Sequence, residues 1–572
     1  MPGCVIMPYS DVVIVGGVAA GPKTAATVKR RLPDARVTLF QKGAHLSFAS
    51  CGMPFFAAGD VQSFSELTQT GYGVPRDTEF FRSSRGCDAV TGVEVIDVDR
   101  NAHTLTLRRV ERGETFEHQY GKLVLATGAH PVDPPFPVVA SERIRTFHSP
   151  EDAMAFRKLA ESGAIDRAII VGGGFIGCEL AEAVGSLWGI ETVLIECEAQ
   201  LLKGTLDPEM SALVEQELRK QDVELHLRAT VTGIELNAED QLQANIDGGA
   251  TVTADYVFLA LGVRPQAELA ERCGLAIGAC GGIVVNAQMQ TSDPDIYAGG
   301  DCVESVHQLT GKPLMLYMGS IANRHGRVIA ENLAGGKVQF PGVLGTRCLR
   351  VFDLNVGAVG LTETAARDAG FDVQSVHGSF PDKPDYQPEV KTMVLKMIFD
   401  GTTMQLLGLQ AVGEGDIIRR LDTFAAFLQY RATVDSLFDF EHAYAPPYAE
   451  ALDPLHHLAG LAHAVRRGQQ FVRPGGLFDT ISTNAVLIVD VREDEEAEAT
   501  PLPGCWTANG TPVIRIPLGQ LRSRLDEVGR DRPIVLVCQR GARSYQAAYV
   551  LKGASIEQVT SLAAGLQAVT DH

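Results

Sequence analysis

The chain runs to 572 residues, 45% of them hydrophobic and 21% charged, with a formal net charge of −20 at pH 7. At roughly 100–200 residues per domain there is room for several domains, each with its own core. So acidic a balance excludes a protein that lives on nucleic-acid phosphates, and no apolar run reaches the ~18 residues of a membrane span.

The opening MPGCVIMPYS lacks the basic and apolar regions of a secretory signal, and the eleven cysteines include no CxxC pair. A cytoplasmic protein with no disulfide framework and no metal site is the expectation.

Residues 11–15 (DVVIV) predict a buried parallel strand. Gly16-Gly17-Val18-Ala19-Ala20-Gly21 follows, then an amphipathic helix over 23–31 and a second strand over 36–40. This is the pattern of a dinucleotide-binding βαβ unit, in which a tight turn sets a helix N-terminus against a pyrophosphate. It departs from the fingerprint twice. Val18 stands where the middle glycine belongs, and Gln41 where an acid grips the ribose. Taken alone, it reads equally well as an ordinary strand–turn–helix connection.

About ten residues further on comes Ser47-Phe48-Ala49-Ser50-Cys51-Gly52-Met53-Pro54, one cysteine among small residues ahead of two helix breakers. A lone cysteine is, by type, more often a small buried residue than a reactive one. Residues 122–129 (KLVLATGA) then predict a strand ending in a turn at Thr127-Gly128.

A second strand–turn–helix starts at 168–171 (AIIV). Its turn, Gly172-Gly173-Gly174-Phe175-Ile176-Gly177, is a complete GxGxxG, its helix bears Glu179, and its next strand over 192–195 ends at Glu196. A carboxylate there accepts hydrogen bonds from ribose hydroxyls and repels a 2′-phosphate, which favours NADH over NADPH. Two such units predict two nucleotides. Residues 291–301 (TSDPDIYAGGD) predict a strand ending at Asp301, an acid set to bond a ribityl hydroxyl at the carboxyl edge of a parallel sheet.

Together, the two glycine turns, the ATG turn and the TSDPDIYAGGD strand resemble the FAD-dependent pyridine nucleotide–disulfide oxidoreductases, over residues 8–465. The resemblance implies an α/β fold with an FAD-binding domain in two parts, 8–149 and 261–335, an NAD(P)H-binding domain over 150–260, and an α/β interface domain over 336–467 that makes a homodimer. The cofactor-binding set it implies comprises Gly16, Val18, Ala20, Gly21, Gln41, Lys42, Ser50, Thr127, Gly128, Asp301 and Asn323, with Gly172, Gly174, Phe175, Ile176, Gly177, Glu179, Glu196 and Gly262.

Most disulfide reductases of that family carry CxxxxC, but five residues beyond Cys51 stands Phe56. The chain therefore resembles the single-cysteine branch: coenzyme A-disulfide reductases, NADH oxidases and peroxidases, and NADH-dependent persulfide reductases. His45, six residues before Cys51, does not clearly match the histidine of the oxidases. Phe440-Glu-His-Ala-Tyr444-Ala-Pro-Pro-Tyr448 resembles the YAPP segment of the coenzyme A-disulfide reductases, whose first tyrosine comes from the partner subunit and approaches the active cysteine. That maps onto Tyr444, and Tyr386 matches a second such tyrosine more loosely. Basic residues bind coenzyme A in this family; here Lys23, Lys42 and Arg30 are the candidates, with Ser47 of the cysteine loop, although a lone lysine on a helix is commonly just a solvated one.

Past a linker at 473–476, residues 485–492 (AVLIVDVR) and 533–544 (PIVLVCQRGARS) start a new α/β pattern that resembles a rhodanese domain over 475–572. Successive backbone N–H groups at such a strand-to-helix turn form an anion-binding nest. With Arg540 and Arg543 beside it, Cys538 is set to hold a persulfide anion, and Ser544 is expected to cap the following helix. The usual GHIPGA segment appears as Thr500-Pro-Leu-Pro-Gly-Cys-Trp506, without its histidine. The fusion predicts NADH-dependent reduction of persulfide or polysulfide sulfur, with coenzyme A as carrier, Cys51 as the redox thiolate and Cys538 handling sulfane sulfur. Coenzyme A-disulfide reductase, NADH oxidase or peroxidase, and a non-enzymatic sulfur sensor or delivery protein are the alternatives.

Overall fold

Tyr9–Val15 is a strand of β-branched residues buried along most of its length, and such strands take the middle of parallel sheets covered on both faces. In the computed structural model, which describes residues 9–476, 486–507 and 510–570, that is its position. Tyr9–Val15 lies between Val37–Gln41 and Thr115–Leu125, both parallel to it. Ile296–Ala298 then returns, parallel, to the other side of Thr115–Leu125. Val15 is in register with Leu125, and Leu125 with Ala298. The carboxyl ends of three neighbouring strands thus release Gly16, Thr127-Gly128 and Asp301 along one edge, the place where open parallel sheets bind ligands. Helix Ala20–Arg31 follows the first strand, three residues earlier at its start than the periodicity suggests.

The described residues fall into two compact units, one within 1–172, 180–193 and 230–343, the other within 173–179, 194–229 and 344–572. The first holds the sheet above. It also holds parallel strands Arg167–Val171 and Tyr256–Leu259, in register from Ala168 and Tyr256 to Val171 and Leu259.

The second unit contains two further five-stranded sheets. One is antiparallel, running Arg347–Val351, Leu354–Gly360, Leu406–Gly413, Thr392–Asp400, Val373–Pro381 in spatial order. The other is parallel and built from Gln470–Val472, Val559–Leu562, Ile534–Val537, Leu487–Asp490 and Val513–Arg515. Its edge strand comes from residues ahead of 475, and Ala485 and position 8, two expected boundaries, lie outside the described residues.

A buried ionic cluster joins distant parts of the second unit. Lys396, with no exposed surface, lies 2.7 Å from Asp207, 2.6 Å from Glu209 and 2.8 Å from Glu363. His377 bonds Glu209 at 2.9 Å, and Arg473, in the stretch read as a linker, bonds Glu363 at 2.9 Å. Burial pushes the Glu363 carboxyl up, but the charge of Lys396 outweighs it and holds the group down to about 2. Glu209 is likewise depressed, burial losing to His377 and Lys396.

Candidate functional site

Cys51 is exposed, in the turn Ser50–Gly52 that leads into helix Met53–Ala58. The turn is hung on the first glycine motif. Ser47, held at φ 48°, donates its N–H to the Gly17 carbonyl at 2.7 Å, and Ala49 donates to Leu67 at 2.9 Å. Phe56 is 6% exposed and fills its position with a ring against Phe64, 5.5 Å between centroids, under the Arg157 guanidinium. Arg157 and Trp188 donate to the carbonyls of Phe56 and Ala57, both at 2.7 Å. The place of a second thiol is thus occupied by core.

Cys51 faces a cleft of about 680 Å³ lined by Val18, Lys23, Arg30, Ser47, Ser50, Arg76, Arg85, Met318 and Asn323, among others. Arg76 lies partly buried with its Nε lacking a partner, and burial lowers its pKa. Lys23 and Arg30 also line an adjoining recess of about 290 Å³ with Arg31 and Arg327, where Arg31 is paired to Glu331. Cationic side chains therefore line both the cleft that holds the thiol and the recess beside it. Lys42 is in neither lining; it pairs with Glu94 at 2.9 Å. His45 packs on Phe64 at 5.2 Å.

The two glycine turns share a device. Gln41 Oε1 accepts from Gly17 N–H at 2.7 Å, and Glu196 Oε2 accepts from Gly173 N–H at 2.6 Å. The first turn thus keeps the acceptor without the charge, which is why Gln41 fits. A Cβ on Gly16 would stand 2.0 Å from the Ala126 carbonyl oxygen, and one on Gly21 1.9 Å from that of Gly16, so neither tolerates a side chain. Gly174 faces open space, as does Gly262 at φ 94°, and Val18, at the position equivalent to Gly174, lines the Cys51 cleft.

Ala20 opens the first helix and Thr127 Oγ1 donates to Gln266 at 2.6 Å, leaving Gly128 at φ 79°. Phe175, Ile176, Gly177 and Glu179 form the first turn and a half of helix Phe175–Gly185. Burial raises the Asp301 carboxyl to about 6, opposed by the Met318 N–H. A largely desolvated carboxyl, at the same sheet edge as a turn whose Gly16 and Gly21 leave no room for a Cβ, fits a dinucleotide's hydroxyls and phosphates.

Cys538 is only 1% exposed, at the end of strand Ile534–Val537. Its Sγ accepts N–H groups from Gly541 at 3.1 Å and Ser544 at 3.3 Å. Gly541 sits at φ 88° to turn its N–H inwards, and a Cβ there would lie 3.1 Å from Ala564. Ser544 does not cap the helix, which already begins at Ala542 after Gly541; its Oγ donates to the Gly541 carbonyl at 2.9 Å and lies 3.5 Å from the sulfur. The reason is geometric: the nest itself consumes the residues before the helix. Arg543 is bound twice by Glu496, at 2.7 and 2.5 Å, and Arg540 by Asp385. Trp506, where the histidine-bearing segment departs, is buried in this domain's second core.

Tyr444, Tyr386 and Tyr448 are 52%, 72% and 71% exposed, on loops of the antiparallel sheet's domain. Arg76, Arg85, Arg327, Asp385 and Glu496 were missed from sequence; each stands in a stretch with no motif of its own, and only their clustering of charge hinted at them. Among the described residues no helix is long and apolar enough to cross a membrane, and no cluster of metal-ligating side chains occurs.

The chain is similar to proteins of known name over most of its length. It is 36% identical over 455 residues to the NAD(P)H sulfur oxidoreductase (CoA-dependent) of Pyrococcus abyssi, covering 80% of this chain and 98% of that one. It superposes on a NAD-dependent persulfide reductase from A. fulgidus with a TM-score of 0.92 at 37% identity, over 97% and 99% of the two chains. On the reduced CoADR-RHD of Bacillus anthracis the TM-score is 0.88 at 31% identity, over 98% of each. The pyridine nucleotide-disulphide oxidoreductase pattern matches residues 10–320, its dimerisation domain 348–456, and the rhodanese-like domain 477–572. The chain belongs to the pyridine nucleotide-disulphide oxidoreductases, a family that implies FAD and NAD(P)H, and carries that family's dimerisation domain and a C-terminal rhodanese-like domain.

Proposed function

We propose that this protein is a homodimeric, cytoplasmic reductase that uses NADH to reduce the sulfane sulfur of a persulfide or polysulfide, carried on coenzyme A, to hydrosulfide. The observation that carries the reading is Cys51, exposed in a basic cleft, with Phe56 buried where a second thiol would have to stand. The sulfur partner of Cys51 must therefore come from a small molecule. A carrier with phosphates suits Lys23, Arg30, Arg76 and Arg85, since clustered cations raise the local concentration of an anionic substrate.

The Cys51 thiolate attacks the outer sulfur of the carrier persulfide, expels the carrier thiolate and keeps the sulfur as its own persulfide. Two electrons then release HS⁻ and restore the thiolate, so that RSS⁻ and NADH yield RS⁻, HS⁻ and NAD⁺. Bound FAD supplies the two-electron relay between nicotinamide and sulfur. The Gly16–Gly21 turn, Thr127, Gly128 and Asp301 are assigned to hold it, and the Gly172–Gly177 turn with Glu196 to hold NADH. Tyr444 is assigned to steady the leaving sulfur through its hydroxyl. Cys538, in its nest of N–H groups, stores sulfane sulfur, which is what favours persulfide over coenzyme A disulfide as the oxidant.

The test is anaerobic NADH oxidation with coenzyme A persulfide and with coenzyme A disulfide. Faster turnover of the persulfide with stoichiometric hydrosulfide is expected; a preference for the disulfide, or NADH consumption that tracks oxygen instead, would refute the reading.

A further inference from the structure

The two arginines of the Cys538 loop are engaged by different parts of the chain. Arg543 is held by Glu496 within its own domain. Arg540 reaches outside it: its Nη1 donates to both carboxylate oxygens of Asp385, at 3.0 and 2.9 Å. Arg540 is two residues past Cys538, and Asp385 directly precedes the exposed Tyr386. Glu450, two residues past Tyr448, lies in the same field. Its carboxyl is pushed up by burial and then by Asp385, with Arg540 opposing. Three segments therefore converge here: the sulfur-loading loop, the Tyr386 loop and the end of the Tyr444–Tyr448 stretch.

The pair is not a stability element. Its side chains keep 34% and 63% of their surface in solvent, and exposed pairs add little to folding because water and salt screen them. An interaction of that size suits a contact that biases where a loop rests and lets it leave.

We infer that Asp385 is a positioning residue: through Arg540 it rests the Cys538 loop against the tyrosine loops, so that sulfur loaded on Cys538 passes to the carrier thiol that the reductase half then discharges. This rests on the function proposed above. In the transfer the carrier thiolate attacks the outer sulfur of the Cys538 persulfide. The bond from that sulfur to Cys538 breaks as the bond to the carrier forms, the carrier leaves as RSS⁻, and the Cys538 thiolate returns to the N–H groups of Gly541 and Ser544. No electrons or protons are exchanged. Thiosulfate can reload the site, its outer sulfur moving to the Cys538 thiolate as sulfite departs.

The experiment uses the full-length holoenzyme with Asp385→Asn and Asp385→Glu, and Cys538→Ser as the blank. Three rates are read: sulfur transfer from thiosulfate to cyanide, NADH oxidation with coenzyme A persulfide added directly, and NADH oxidation with thiosulfate plus coenzyme A after subtracting the Cys538→Ser rate. Asp385→Asn is expected to lower the third rate about three- to five-fold, the scale of one exposed ion pair, while the first two stay at wild-type values. Asp385→Glu should restore it, and added salt should erode the wild-type advantage. An unchanged third rate, an equal fall in all three, or no Cys538-dependent NADH oxidation in the wild type would each overturn the inference. Failure of the second rate in the wild type would instead strike the function proposed for Cys51.

Discussion

Cys51 lies exposed in a cleft whose positive charge is carried on long, mobile side chains, whereas Cys538 is 1% exposed and its sulfur is received by two fixed backbone N–H groups. Lysine and arginine heads can follow the phosphates of a large carrier, and their effect is screened by salt. Backbone N–H groups are already aimed when the anion arrives, and here they enclose a sulfur that is almost wholly out of solvent. The first arrangement suits a site that must admit and release a bulky molecule. The second suits a site that keeps a small anion. The difference lies in which atoms meet the sulfur: side chains from several segments at Cys51, the turn's own backbone at Cys538.

The sharpest way to break the comparison is to remove one sulfur and see whether the other notices. Cys51→Ser should lower NADH-dependent hydrosulfide release by about a thousand-fold or more, since a hydroxyl cannot replace the thiolate nucleophile, while sulfur transfer to cyanide continues. Cys538→Ser should do the converse. A hydrosulfide assay and a thiocyanate assay on both variants decide it; a joint loss in either would mean that the two sites form one machine.

Next in size is the ground on which the Cys538 domain stands. Lys396→Met strips three buried carboxylates of their ammonium, and unpairing a buried ionic cluster costs about 3–5 kcal/mol. Thermal unfolding should show the second unit melting well before the first. The same cluster sets an acid limit. Glu363 is held to about 2 in the fold against an ordinary 4.5, so its contribution is complete above 4.5 and is lost as the pH falls towards 2. A melting-temperature series from pH 6 to pH 3 in which the decline starts well above pH 5 would contradict that assignment.

A smaller effect isolates the nest. Gly541→Ala forces a side chain onto φ 88° with its Cβ 3.1 Å from Ala564, a strain of about 1–3 kcal/mol that the loop would relieve by turning its N–H away. Thiocyanate formation should fall about ten-fold, with NADH oxidation by coenzyme A persulfide untouched.

What the sequence made legible was local. Strand, glycine turn and helix follow one another within thirty residues, so each Rossmann unit declares itself, and the missing second thiol is visible as Phe56 in a single line of text. The reason Gln41 serves in place of an acid was not, because it depends on a hydrogen bond to Gly17 across 24 residues. Arg76, Arg85 and Arg327 reach the cleft wall and its adjoining recess from two helices and a loop with no common motif, and Asp385 meets Arg540 across 155 residues. Ser544 shows the opposite failure: a serine at a helix start invites the capping reading, yet the helix begins earlier and the hydroxyl serves the turn. Tertiary partners of exposed charges leave no periodicity to read.

The finest distinction between the two sites is their response to salt. Lys23→Met removes one cation from the lining of the Cys51 cleft. If that lining recognises the carrier's phosphates, KM for coenzyme A persulfide should rise about three- to ten-fold with kcat nearly constant, because the interaction is made equally in the ground and transition states. Raising the salt from low to physiological strength should raise the wild-type KM in the same direction, since the Debye length shrinks to about 8 Å, and the variant should respond less. Cyanide sulfur transfer at Cys538, resting on backbone N–H groups and on arginines already neutralised by Glu496 and Asp385, should respond least of the three. Equal salt slopes at both cysteines would mean that mobile cations govern the nest as well, and the contrast between the sites would collapse.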